Sequence, residues 1–130
     1  MADLTCKPLD RLSNLLSVDI YGWGQDWEFV YADPDRIEEF SALYERESLN
    51  PGEKSELMRL IVASYDRMLE DRNESRATWE RITRLLRREF SLHREIIEYW
   101  SLLEEAEAEN IFPLTPLMRE VWHGYQSGEI

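Results

Sequence analysis

The chain is short of most residues that mark catalytic, extracellular or membrane proteins. Cys6 is its only cysteine, so no internal disulfide is possible and a reducing, cytoplasmic home is expected. The opening MADLTCKPLD has no apolar h-region, and no secretory signal is expected. The longest apolar runs, such as Leu57–Ala63, are interrupted by Arg59 and fall far short of the ~20 residues of a membrane span. Only His93 and His123 are available as imidazole ligands. A di-iron bundle needs two Glu-x-x-His units on facing helices, whereas this chain has the single unit Glu120-x-x-His123. No metal or other cofactor is expected, and His93, on an apolar helical face, reads as a hydrogen-bonded or partly buried histidine rather than a ligand. The five glycines form no phosphate loop, because GWG lacks its spacing and its following helix. A serine or cysteine nucleophile would need a histidine within reach, and nothing local suggests one. With 27 acids, pairs of carboxylates are inevitable and carry no information. An enzyme is not expected.

What is abundant is negative charge. The formal net charge is -12 over 130 residues, which argues against nucleic acid or anionic membrane as a direct partner and permits steering toward a basic one. The charge is uneven. Asp19–Glu56 carries eleven acids against Arg36, Arg46 and Lys54, and Glu98–Ile130 carries seven against Arg119. Between them, Glu74–Glu95 has six arginines and four glutamates. Those arginines interleave with glutamates at helical pair spacings, such as Glu80 with Arg84 and Arg94 with Glu98, so intramolecular pairing is expected rather than nucleic-acid contact.

The apolar periodicity is helical almost throughout. A first helix is expected from near Pro8 to near Val18, with Leu9, Leu12, Leu15 and Leu16 on one face. Asp33-Pro34-Asp35 announces a second that stops near Ser48 and buries Ile37, Phe40, Leu43 and Tyr44. Asn50-Pro51-Gly52-Glu53 forms a capping box for a third, running to about Arg72 and burying Leu57, Leu60, Ile61, Ser64, Tyr65, Met68 and Leu69. From Glu74 to Asn110 neither glycine nor proline occurs. That stretch is either one helix of ~50 Å at 1.5 Å per residue or two, with Ser91 as the cap of the second. Thr115-Pro116 starts a last helix on Leu117, Val121 and Trp122, with Gly124 as its expected C-terminal cap. The expected fold is all-α: a single domain over residues 1–130, a compact bundle of five or six helices with one irregular aromatic-rich segment.

That segment, DIYGWGQDWEFVYADPDR from Asp19 to Arg36, holds five of the fifteen aromatics. GWG breaks a helix and WEFVY reads as a strand with nothing to pair with, so an irregular or short helical course is expected. Its rings either plug the core, each burying ~150–250 Å², or meet a partner together with the acids around them. The candidate partner-binding set is Asp19, Tyr21, Trp23, Asp26, Trp27, Glu28, Tyr31, Asp33, Asp35, Glu38 and Glu39. The acids are expected to face the partner more than the rings.

With DIYGWGQDWEFVYADP and the acidic helix after it, the chain resembles the small acidic immunity proteins of bacterial toxin–immunity systems. The resemblance lies in character rather than in a shared motif and covers about a quarter of the chain. It implies a cytoplasmic protein that neutralises a basic partner by occlusion, its carboxylates mimicking the phosphates a nuclease-type toxin would bind. The arginine-rich stretch departs from such mimicry. The alternatives are an acidic adaptor, secretion chaperone or phage-encoded inhibitor using helix grooves, and a small carboxylate-based enzyme.

Overall fold

The computed structural model describes residues 9–21 and 26–126. Among these, seven α-helices and no strand occur, so the chain is all-α. Five or six helices were expected, and the additional one is the single turn Trp27–Val30 inside the aromatic segment. The chain divides into two compact units, residues 1–64 and 65–130.

The first unit opens with α1, Asp10–Leu16, which buries Leu12 and Leu16 one turn apart. Pro8, expected near its start, lies outside the described residues. Ser17, at φ 58°, ends the helix by letting its own N–H and that of Val18 turn back to the carbonyls of Asn14 and Ser13. The one-turn helix Trp27–Val30 is α2. Asp33 then caps a 3-10 turn, Pro34–Arg36, by accepting the Asp35 N–H at 2.9 Å, and the chain continues into α3, Ile37–Arg46. Ile37, Phe40, Leu43 and Tyr44 are buried as their spacing implies. Arg36 joins α3 to α1: it donates to the Leu16 carbonyl at 3.0 Å, pairs with Glu39 at 2.7 Å and lies 4.9 Å from the Phe40 ring centroid.

Helix α4, Pro51–Glu70, begins in the first unit and ends in the second. Its capping box is closed in both directions: Glu53 N–H donates to Asn50 Oδ1 at 2.8 Å, and Asn50 N–H to Glu53 Oε1 at 2.9 Å. From Leu60 to Asp66 every residue is buried. A single buried stripe was expected there. Met68 and Leu69 are only half-buried. The helix stops at Glu70, and Arg72 at φ 59° closes it.

In the second unit, Ser75 caps α5, Arg76–Arg88, by accepting the Thr78 N–H, and its carbonyl accepts the Tyr65 hydroxyl at 3.0 Å. The long pattern is broken at Glu89, two residues before Ser91, and α6 runs Phe90–Ser101. His93 is fully buried there. Helix α6 ends at Leu102, held at φ 43°. There Arg119 donates to the carbonyls of Ser101 and Leu102 at 2.7 Å each and of Glu105 at 2.8 Å. After an exposed acidic stretch containing the 3-10 turn Ala108–Asn110 comes α7, Thr115–Gln126, packed on α6. Phe90 and Tyr125 stack at 3.6 Å between centroids. Gly124 lies within α7 and is buried, so it is not the expected cap; the helix continues past it to Gln126.

Asp66, at the second unit's end of α4, accepts the Leu114 N–H at 2.9 Å. Burial pushes its carboxyl up to about 6, against that hydrogen bond and with Glu70 adding to the rise. The folded chain keeps this proton up to about pH 6, whereas an unfolded aspartate loses it near 3.9. The contribution of this group to stability therefore falls as pH rises from about 4 to 6. Asp66→Asn keeps an acceptor for Leu114 and removes the charge. It is expected to raise stability by about 1–2 kcal/mol at pH 7.5, and the gain in melting temperature should shrink toward zero at pH 4.5. A gain that is independent of pH would contradict this account.

Candidate functional site

The aromatic-acidic segment belongs to the first unit and has two distinct faces. Trp27 is 1% exposed and Glu28 5%, so these two members of the predicted set turn inward. Their burial has a specific cause. Arg59 of α4 donates to Glu28 Oε2 from Nε at 3.1 Å and from Nη2 at 2.7 Å, and it reaches Glu56 at 3.1 Å. Burial pulls the Arg59 guanidinium down, but the hydrogen bond to Glu28 and the charges of Glu56 and Glu28 outweigh it and leave it raised. A charged pair held this way fixes α2 against α4 from beneath, and Trp27 fills the adjoining space.

The opposite face carries the acids. Asp19, Asp26, Asp35, Glu38 and Glu39 are exposed. Glu39 is engaged by Arg36, whose hydrogen bond holds its carboxyl below the usual range. Asp33 is half-buried and occupied twice: its carboxylate caps the turn, and its N–H donates to Ser64 Oγ at 3.0 Å. Both bonds help to set the entry angle of α3. Tyr21 and Tyr31 are half-buried; the Tyr21 hydroxyl accepts the Leu9 N–H, and the Tyr31 hydroxyl accepts the Asp19 N–H at 3.3 Å. Together with Asp10, Asp19 and polar residues of α1, the two tyrosines line an open depression of about 680 Å³. Trp23 lies outside the described residues.

The structure thus brings together Asp19, Tyr21 and Tyr31 at the depression and sets Asp35 and Glu38 along the start of α3. Sequence reasoning missed Arg59 and the Ser13, Asn14 and Ser17 edge of α1. Arg59 had left a signal, as a lone charge inside the apolar run Leu57–Ala63. The polar edge of α1 had left none. Among the described residues no group of three or more His, Cys, Asp or Glu is placed to hold a metal ion, and no helix is long and apolar enough to cross a membrane. No family model, curated protein or solved structure matches the chain.

Proposed function

We propose that the chain is an acidic binding protein that neutralises a basic partner in the cytoplasm, as an immunity protein occluding a cognate bacterial toxin. The observation that carries this reading is the division of the aromatic segment into an anchored underside and an acidic outer face. Trp27 and the Glu28–Arg59 pair hold the segment, so Asp19, Asp26, Asp35 and Glu38 are displayed on a fixed backbone. Carboxylates already in position lose little conformational freedom when they meet lysines or arginines, and they accelerate encounter with a basic surface. Half-buried Tyr21 and Tyr31 beside them supply aromatic contact area.

The test is titration against the purified product of a toxin gene encoded next to this one, with Asp26→Lys, Asp35→Lys and Glu38→Lys combined. All three positions are exposed, and they stand at helix starts, so each reversal should cost up to about 1 kcal/mol and leave the chain folded. Affinity should fall at least tenfold, with the loss shrinking as salt rises. Unchanged affinity in the triple variant would remove the acidic face from the contact.

A further inference from the structure

The arginines of α5 are not all consumed by pairing. Arg76 pairs with Glu80 at 3.3 Å and Arg94 of α6 with Glu98 at 2.9 Å. Glu80 therefore reaches back to Arg76 instead of forward to Arg84 as its spacing had implied. Arg84 and Arg87 are exposed and form no ion pair among the described residues. They edge a groove of about 640 Å³ between α5 and α7, within the second unit. Trp79 provides its floor on the α5 side. The indole stacks on buried Tyr65 with centroids 5.3 Å apart and is itself only half-buried. Half-buried Leu117 faces the groove from α7, with Glu120 one turn on.

We propose that this groove docks an acidic amphipathic helical segment of a partner protein. The lining on α5 spans Arg76 to Arg87, about 16 Å at 1.5 Å per residue, an elongated trough rather than a cup for one ring. Trp79 and Leu117 offer an apolar seat in the manner of a helix laid into a groove. Arg84 and Arg87 stand three residues apart on one helix, a separation of about 5–6 Å, which matches carboxylates spaced one turn apart on the incoming segment. The same groove is lined by Glu74, Glu80 and Glu120. Glu80 is taken up by Arg76, which leaves Arg84 and Arg87 against Glu74 and Glu120; that balance suits two single carboxylates placed at the arginines and disfavours the concentrated charge of a polyphosphate. The groove belongs to residues separate from the acidic face of the first unit, and the two proposals stand or fall independently.

The probe is a fluorescein-labelled helical peptide with leucine anchors along one face and glutamates three residues apart beside them. Its counterpart carries lysine at each glutamate. Anisotropy titrations of the full chain are expected to show saturable binding of the glutamate peptide only. Arg84→Glu with Arg87→Glu should weaken that binding at least tenfold at an unchanged melting temperature, and Arg84→Lys with Arg87→Lys should restore most of it. The Trp79 indole N–H resonance, assigned through Trp79→Phe, should move on addition of the glutamate peptide. Absence of binding up to about 1 mM peptide, equal binding of the lysine peptide, indifference to the charge reversal, or displacement of the peptide by ATP would each overturn the proposal.

Discussion

Trp27→Ala is expected to cost about 3–5 kcal/mol and to lower the melting temperature by about 10–20 °C. Few side chains of the first unit are as large and as fully enclosed. Removing it opens a cavity that a one-turn helix cannot close, because Trp27–Val30 has no interior of its own to collapse. A second variant separates volume from polarity. The Trp27 indole N–H is buried without a hydrogen-bond acceptor among the described residues. Trp27→Phe therefore loses some packing but also removes an unsatisfied donor, and these oppose each other. Its cost should stay near 1 kcal/mol or below. Urea melts of both variants check the pair. Near-equal losses would mean that the indole N–H has a partner, and a small loss for alanine would mean that the ring is dispensable to folding.

Glu28→Ala should be the next most damaging change, at about 2–4 kcal/mol. It removes both hydrogen bonds that Arg59 donates to Oε2 and leaves the guanidinium, 34% exposed, with Glu56. That remaining partner and the partial exposure keep the loss below that of a fully orphaned buried charge. Glu28→Gln retains an acceptor and should cost less, about 1–2 kcal/mol. Glu56→Ala removes the outer partner and should cost under about 1 kcal/mol. The order of the three, read from denaturant midpoints at constant slope, is the diagnostic. If Glu28→Ala and Glu56→Ala were equivalent, Glu28 would be solvated in practice and the segment would lose its anchor.

The caps at Asp33 and Asn50 were legible, although Asp33-Pro34 opens a 3-10 turn and α3 itself begins only at Ile37. Asp33-Pro34 and Asn50 through Glu53 specify local hydrogen bonds whose partners lie three residues away or fewer, so the sequence carries the whole device. The break at Glu89 was placed less well, because Ile82, Leu86, Phe90, His93, Ile97 and Trp100 keep helical spacing straight through it. Periodicity reports which face is apolar and is insensitive to one residue leaving the helical region. Gly124 misled for a related reason: glycine permits a helix end without requiring one, and here the helix continues past it. In the candidate site, exposure of Asp26, Asp35 and Glu38 follows from acidity alone. The inward turn of Glu28 does not, since its partner lies thirty-one residues away on another helix. Composition marks a residue as chargeable, and only the tertiary neighbour decides which way it faces.

Arg119 bears on how the second unit folds. Leu102 sits at φ 43°, a conformation that disfavours a side chain with a Cβ, and the carbonyls exposed by that turn are taken up by one guanidinium arriving from α7. No residue of α6 itself does this work. The helix can therefore adopt its final terminus only once α7 has docked, and the acidic connection between them must already be bent. Helices α6 and α7 are thereby expected to open together, and amides in the last turn of α6 should exchange with solvent at the same opening free energy as those of α7.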